Sequence, residues 1–214
     1  PEPGLPFGGE FGWRASKLLG RPLFRHWFPM RAAGTHHVPA EGPLVVAANH
    51  FSHLDPVVVG LLVRRTVRFL AVDELYGRSR FFDRLTLWLG AIPMSRTRTP
   101  LGALRAALAE LDNGGAVGLF PEGVRVWRWG EQHPRRGAAW LALRTGAPLL
   151  PVAISGTEEA MGRGTGRISR MPIYAEVCPP IRPEDVAGEA DPAAAMTAEW
   201  QRRVDAVLRP RYEP

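Results

Sequence analysis

The sequence predicts an α/β fold, a single-domain αβ sandwich built on a mostly parallel sheet. Short apolar runs of strand length recur along the chain, and segments with a helical spacing of apolar residues separate most of them. Gly, Pro and Asn mark many of the junctions. Strands that alternate with helices are typical of parallel sheets covered by helices. A length of 214 residues fits one domain with a full core.

The composition is that of a folded protein with an anionic partner. Hydrophobic residues make up 45% and charged residues 22%, which excludes wholesale disorder. The net charge of +6 favours phosphate, nucleic acid or an acidic membrane surface, without choosing among them. No apolar stretch approaches the ~20 residues of a transmembrane helix. The one cysteine, Cys178, excludes an internal disulfide and a Cys-based zinc site, and we expect it to be a core residue.

Residues 1–34 are predicted to form an N-terminal amphipathic, membrane-interfacial segment, and residues 35–214 the folded domain. Basic residues recur every three or four positions between Phe11 and Phe28, within an arc of roughly 80°, among many aromatic and apolar residues. Gly20 and Pro22 should divide this stretch into two short helices. The alternative is a helix packed on the core with its basic stripe in solvent. The residues expected at the membrane are Trp13, Arg14, Lys17, Arg21, Phe24, Arg25, Trp27 and Phe28.

The first half of the folded domain follows a loop that contains Gly34 and Pro39. Apolar runs predict strands over residues 43–48, 67–72 and 91–95. A helix is predicted over residues 56–65, and Asp73 can cap a second one that ends at Gly90.

The second half begins where Thr99-Pro100 provides an N-cap followed by proline at the first helical position. That helix should continue to Asn113, because leucines recur on one face. Strands are predicted over residues 116–120, 148–155 and 173–177, and a helix over 137–145. A C-terminal helix opens at Asp191-Pro192, and its inward-facing residues should be Met196, Trp200, Val204 and Leu208.

The segment 45–58, VVAANHFSHLDPVV, contains the strongest candidate for catalysis. A buried strand ends at Asn49-His50, and Asp55 follows at the mouth of a helix, a common way to place a base and the group that orients it. Five residues rotate about 140° on an ideal helix, so the two side chains can meet only if the chain turns between them. The alternative is structural: Ser52 and Asp55 have the spacing of a capping box, and Asp55 could be a simple N-cap.

Two further strand ends carry polar residues that suggest function. Arg96 follows one predicted strand, and Glu122 and Arg125 follow another. Parallel strands place their carboxyl ends at one edge of a sheet, so these side chains should lie near His50 and Asp55. The alternative for the two arginines is a solvated surface position.

Four segments together resemble a known family. NHFSHLD (49–55), GAIPMSR (90–96), FPEGVR (120–125) and LLPVAISGT (149–157) resemble, in order, the four sequence blocks of the glycerolipid acyltransferases. This is the lysophosphatidate (1-acylglycerol-3-phosphate) acyltransferase family, and the resemblance covers roughly residues 35–185. The third block usually continues Gly-Thr-Arg-Ser, whereas Val124 and Val126 stand at the Thr and Ser positions here. The acceptor therefore stays open.

The resemblance implies an acyltransferase domain over residues 35–214 that acts in phospholipid biosynthesis. It would transfer a fatty acyl group from acyl-CoA or acyl carrier protein to a lysophospholipid hydroxyl, with 1-acylglycerol-3-phosphate giving phosphatidic acid, and without a covalent intermediate. His50 would be the general base and Asp55 its orienting partner. Arg96 and Arg125 would hold the acceptor phosphate. The remaining substrate-binding residues would be Glu122 for the glycerol hydroxyls, Gly123 for close backbone approach, and Asn49 for the His50 loop or the oxyanion.

The same resemblance implies a peripheral or monotopic protein at the cytoplasmic face of the cell membrane. No cofactor, metal or nucleic acid is expected, since the acyl donor is a co-substrate; the oligomeric state is open. In the loop 126–136, Trp127 and Trp129 either touch lipid headgroups or pack one face of a hairpin.

The main alternatives concern the chemistry at His50. A metal-dependent hydrolase would use His50, His53 and Asp55 as ligands, although no second cluster of His and carboxylate is evident in the sequence. The second alternative is the same acyltransferase chemistry on a different glycerolipid or glycolipid acceptor. A serine hydrolase is disfavoured because no G-x-S-x-G motif occurs.

Overall fold

The strands of this computed structural model form one mixed sheet. The structure describes residues 22–72, 91–94, 101–162 and 167–212. The strands are β1 (Met30–Ala33), β2 (Leu44–Ala48), β3 (Val67–Val72), β4 (Ile92–Met94), β5 (Ala116–Leu119), β6 (Leu149–Ser155) and β7 (Ile173–Val177). Their order in the sheet is β1-β7-β6-β2-β5-β3-β4. All pairs are parallel except β6 with β7, which confirms the predicted mostly parallel α/β fold.

Six α-helices accompany the sheet in the described ranges. They are α1 (residues 22–27), α2 (Asp55–Leu62), α3 (Leu101–Asp112), α4 (Gly137–Thr145), α5 (Thr157–Met161) and α6 (Pro192–Tyr212). Short 3₁₀ turns cover Thr35–His37 and Pro183–Val186. Among these helices, none combines the length and the hydropathy needed to cross a membrane. The helix predicted between Asp73 and Gly90 lies outside the described residues.

The core has two layers because β2, at the middle of the sheet, is buried on both faces. Val45 and Ala47 contribute to the layer under α3, α4 and α6, whereas Val46 and Ala48 contribute to the layer under α2 and α5. This continuous apolar strand is typical of a parallel sheet covered on both sides.

The C-terminal helix α6 packs as its sequence predicts. Met196, Trp200, Val204 and Leu208 are buried, and the backbone N–H of Ala194 donates to the Asp191 carboxylate at 3.0 Å, which caps the helix. The Trp200 indole N–H also finds a partner, since it donates to the carbonyl of Ala47 at 2.9 Å. Cys178 is buried as expected, and burial raises the pKa of its thiol to about 11.

Two elements have no counterpart in the predictions from sequence. The four-residue strand β1 pairs with β7, and the five-residue helix α5 follows β6 directly. Strand β1 falls within the predicted N-terminal segment, so the boundary proposed at residue 34 comes after the first strand of the sheet.

The described end of the N-terminal segment is partly a core element. Phe28 is only 5% exposed and packs in the layer under α2, with the Phe24 ring 4.8 Å away. Membrane contact is therefore wrong for Phe28. Leu23 and Trp27 are exposed by 71% and 50%. Arg25 is exposed as well, whereas Trp13, Arg14, Lys17 and Arg21 lie outside the described residues.

Candidate active site

Three parallel strands deliver the candidate residues to one edge of the sheet. Strand β2 lies between β6 and β5 and runs parallel to both. Their carboxyl ends therefore meet, with His50 just beyond β2, Glu122 beyond β5 and Thr157 beyond β6. Open α/β sheets place their ligands at this edge.

His50 and Asp55 meet because the chain turns back between them. The distance from His50 Nδ1 to Asp55 Oδ2 is 2.8 Å. The backbone N–H groups of Phe51 and Ser52 both donate to the same oxygen, each at 2.7 Å. An ionised carboxylate can only accept, so Nδ1 carries the proton and Nε2 is the ring nitrogen left for a reacting group.

The structural and catalytic interpretations of Asp55 prove compatible. Asp55 is the first residue of α2, and its carboxylate accepts the backbone N–H of Ser52, three residues before the helix. The same carboxylate is fully buried and holds the imidazole of His50, whose side chain is 15% exposed. The helix start therefore fixes the carboxylate that orients the imidazole.

The other carboxylate oxygen of Asp55 has its own donor. The Thr157 hydroxyl donates to Oδ1 at 2.6 Å, and both side chains are fully buried. The sequence interpretation gave Thr157 no role, although it ends the fourth block. Its position directly after Gly156 at the end of β6 is the signal that could have identified it.

Glu122 lies beneath the His50 loop as a buried carboxyl group. Its Oε1 accepts the backbone N–H of His50 at 3.3 Å, and its Oε2 has no hydrogen-bond partner among the described residues. Burial raises the pKa of Glu122 to about 8, and the negative charge of Asp55 adds to this, against the effect of backbone N–H groups. Glu122 is therefore mainly protonated at neutral pH.

Phe120 is a site residue that the sequence interpretation missed. Its ring stacks on the His50 imidazole with centroids 3.9 Å apart and planes 15° from parallel, and Phe69 lies beyond it at 5.5 Å. The backbone N–H of Val126 also donates to the carbonyl of His50 at 2.8 Å. The segment 120–126 therefore fixes His50 through both a ring contact and a backbone hydrogen bond.

Gly123 is required by a tight turn. Its N–H donates to the carbonyl of Phe120 at 2.8 Å, and its φ is 69°. A Cβ there would lie 3.1 Å from the Arg135 side chain. Arg125, two residues on, is partly buried at the same edge, whereas Arg96 lies outside the described residues.

Comparisons with known proteins identify the family of this chain. A family model described as Acyltransferase matches residues 30–155. The chain belongs to the acyltransferase family. The resemblance seen in the four sequence blocks is thereby confirmed.

Relatives of this chain include 1-acyl-sn-glycerol-3-phosphate acyltransferases. The human 1-acyl-sn-glycerol-3-phosphate acyltransferase alpha is 30% identical over 169 residues, covering 76% of this chain and 58% of the relative. The 1-acyl-sn-glycerol-3-phosphate acyltransferase of Borreliella burgdorferi is 25% identical over 150 residues, covering 69% of this chain and 60% of that protein. The chain therefore spans about three-fifths of the length of these relatives.

A solved structure shares the fold of this chain. The crystal structure of the 1-acyl-sn-glycerophosphate acyltransferase PlsC from Thermotoga maritima aligns with a TM-score of 0.75 and 23% identity. The alignment covers 91% of this chain and 79% of that one, so the same fold extends over nearly the whole chain.

Both polar atoms of the Asn49 side chain are bonded to the neighbouring strand β6. Its side-chain amide donates to the carbonyl of Ile154 at 2.9 Å, and its oxygen accepts the N–H of Ile154 at 2.7 Å. The side chain is fully buried. These bonds continue the ladder between β2 and β6, so Asn49 positions the His50 loop, and the expectation that it binds substrate or the oxyanion is wrong.

The two tryptophans after the third block face different environments. Trp129 packs on Trp200 with centroids 5.9 Å apart and donates to Asp205 at 2.9 Å, whereas Trp127 is exposed by 58%. Turns and irregular chain connect them, so the hairpin, one of the two alternatives, is not found in residues 126–136. Contact of Trp127 with lipid headgroups stays a prediction.

A metal site does not fit the donor set around Asp55. The N–H groups of Phe51 and Ser52 and the hydroxyl of Thr157 all point hydrogens at its two oxygens. A cation needs those lone pairs. The arrangement therefore favours the interpretation of Asp55 as the orienting partner of His50 over the metal-dependent hydrolase.

Proposed function

We propose that this protein transfers a fatty acyl group from a thioester to the hydroxyl of a lysophospholipid, with His50 as general base. The observation that carries the proposal is the bond of 2.8 Å between His50 Nδ1 and Asp55. It orients the imidazole so that Nε2 accepts the proton of the acceptor hydroxyl, which needs such help to attack a carbonyl.

The step balances without a covalent enzyme intermediate. The acceptor oxygen forms a bond to the thioester carbonyl carbon while its proton passes to Nε2 of His50. The carbon–sulfur bond then breaks, and the leaving thiolate takes the proton from the imidazolium. Asp55 stabilises the positive charge that His50 carries between the two proton transfers. The products are an ester and a free thiol.

The proposed acceptor is 1-acylglycerol-3-phosphate and the proposed product phosphatidic acid. The names of the relatives support this choice, as does Arg125 at the edge of the sheet, because guanidinium binds phosphate in a bidentate manner. Arg96 is proposed as its partner. Acyl-CoA and acyl carrier protein are the proposed donors, and Glu122 is proposed to orient the glycerol.

The protein is proposed to work at the cytoplasmic face of a membrane as a peripheral or monotopic enzyme. Exposed Leu23 and Trp27 beside exposed Arg25 support this placement, because interfacial segments combine apolar and aromatic residues with basic ones. The acceptor itself is a membrane lipid.

Thiol release tests the proposed chemistry. Purified protein is mixed with an acyl-CoA and 1-acylglycerol-3-phosphate, and free thiol is followed with a chromogenic disulfide. We expect release that depends on the acceptor, and a loss of at least about 100-fold in His50→Ala and Asp55→Ala. His36→Ala is the matched control, since His36 is exposed on the 3₁₀ turn before β2. Equal release by all four proteins would refute the base.

A further inference from the structure

The two oxygens of Asp55 have separate partners. Oδ2 is bonded to His50 Nδ1 and to the backbone N–H groups of Phe51 and Ser52. Oδ1 is bonded to the hydroxyl of Thr157 at 2.6 Å, the short distance of a charge-assisted hydrogen bond. Among the described residues, the hydrogen bonds found at Oδ1 come from Thr157 alone.

The chain path makes this contact specific to one residue. Strand β6 ends at Ser155, and Gly156 follows with φ of 86°. A Cβ on Gly156 would lie 2.1 Å from the carbonyl oxygen of Pro172, so only glycine fits. The turn at Gly156 then places Thr157 as the first residue of α5, with its side chain directed at Asp55.

Helix α5 is bound to the His50 loop at its other end as well. The Ser52 hydroxyl donates to the carbonyl of Met161, the last residue of α5, at 2.6 Å. Both ends of the helix are thus tied to the segment between His50 and Asp55. The hydroxyl of Thr157 therefore approaches Asp55 from a fixed support.

We propose that Thr157 is a positioning residue for the acyl transfer, fixing the Asp55 carboxylate so that Oδ2 stays aligned with Nδ1 of His50. The inference rests on the proposed function. The terminal torsion of an aspartate side chain has a broad energy well. A hydrogen bond to Oδ1 restricts the range of that torsion. Without the Thr157 hydroxyl, the buried Oδ1 loses its hydrogen bond. Thr157 acts through Asp55 and His50, without touching substrate.

Three variants separate this role from a general loss of stability. Thr157→Val keeps the shape of the side chain and removes the donor, whereas Thr157→Ser keeps the donor. Thr197→Val is the matched control, because the Thr197 hydroxyl is also nearly buried but donates to the Ala193 carbonyl within α6. Thermal unfolding of each variant reports the loss of stability alone.

The expected result for Thr157→Val is a lower kcat with little change in KM. Misplacing a catalytic group by about 1 Å costs up to 100-fold in rate, so Thr157→Val should lower kcat by about 10- to 100-fold with KM within about twofold. Thr157→Ser should stay within about threefold of the original protein, and Thr197→Val should leave kcat unchanged. In an Asp55→Ala background, Thr157→Val should cause no further loss, since the two residues act as one unit.

Several outcomes would overturn the inference. These are a kcat of Thr157→Val within twofold of Thr197→Val, a Thr157→Ser variant as slow as Thr157→Val, or a further tenfold loss in the Asp55→Ala background. Should Thr157→Val show no cooperative unfolding transition, Thr157→Cys replaces it, because a thiol is a weak donor. Thr157→Cys should then be at least tenfold slower than Thr157→Ser, and equal rates overturn the inference.

The same assay distinguishes the two proposals. If the unaltered protein releases no thiol, or His50→Ala releases as much, the proposed function fails and the role of Thr157 fails with it. If release depends on His50 and Thr157→Val is as fast as the unaltered protein, only the role of Thr157 fails.

Discussion

Glu122→Gln should remove the loss of stability with rising pH that the buried Glu122 carboxyl predicts. The amide has the same shape, and its oxygen can still accept the His50 N–H that Glu122 Oε1 accepts at 3.3 Å. It has no proton to lose. Only the titration of the buried carboxyl is removed.

The magnitude follows from the pKa of Glu122, which burial raises from 4.5 to about 8. Between these values the folded protein keeps the proton and the unfolded chain releases it. The stability that this group contributes is therefore fully present below about pH 4.5 and is lost as pH rises through about 8. The slope is about 1.4 kcal/mol per pH unit, or ~3 kcal/mol between pH 5.5 and 7.5.

Urea unfolding of both proteins at pH 5.5 and 7.5 measures this effect. All other titrating groups are shared, so the difference in the free energy of unfolding between Glu122→Gln and the unaltered protein isolates Glu122. We expect the free energy of unfolding of the variant, relative to that of the unaltered protein, to be ~3 kcal/mol higher at pH 7.5 than at pH 5.5. A difference that stays constant within about 0.5 kcal/mol would refute the protonated state of Glu122.

Three further changes test other parts of the site. Phe120→Leu removes the ring stacked on His50 and should lower kcat about tenfold in the thiol assay, and an unchanged kcat would contradict a positioning role. Gly123→Ala places a side chain at φ of 69° and should cost about 1–2 kcal/mol in thermal unfolding; no loss would show that the turn relaxes. Leu23→Ser with Trp27→Ser should reduce co-sedimentation with anionic liposomes, and unchanged binding would reject this surface as the membrane contact.

The sequence predicted β2 and β6 well because both strands are fully buried. Strands such as β2 and β6 are continuous apolar runs bounded by Pro, Gly or polar residues, and such runs have few alternatives. The sequence also allowed His50 and Asp55 to meet, provided that the chain turns between them. A strand end followed by a helix start leaves room for only a short turn between them.

The elements that sequence reasoning missed are short or depend on distant partners. Strand β1 has four residues, and two of them are exposed, so its sequence shows little apolar alternation; its pairing with β7 determines it. The sequence left two roles open for Asn49, positioning the His50 loop or holding the oxyanion. Only the position of Ile154, 105 residues later, shows that the amide is already used.

The contacts around the His50 imidazole could not be predicted either, because they join residues that are distant in sequence. The stacking of Phe120 on His50 and the bond from Thr157 to Asp55 join strand ends that are adjacent only in the folded sheet. A single sequence contains the residues of those pairs but no measure of their distance. Phe28 shows the converse, since an aromatic residue in a basic, apolar segment proved to be core.

Direct detection of the lipid product tests the central claim, that His50 activates the hydroxyl of a lysophospholipid. The protein is incubated with isotopically labelled acyl-CoA and unlabelled 1-acylglycerol-3-phosphate, and the lipids are analysed by mass spectrometry. The account predicts labelled phosphatidic acid with the unaltered protein and His36→Ala, and at least about 100-fold less with His50→Ala. Labelled phosphatidic acid in equal amounts from His50→Ala, or labelled free fatty acid in its place, would contradict it.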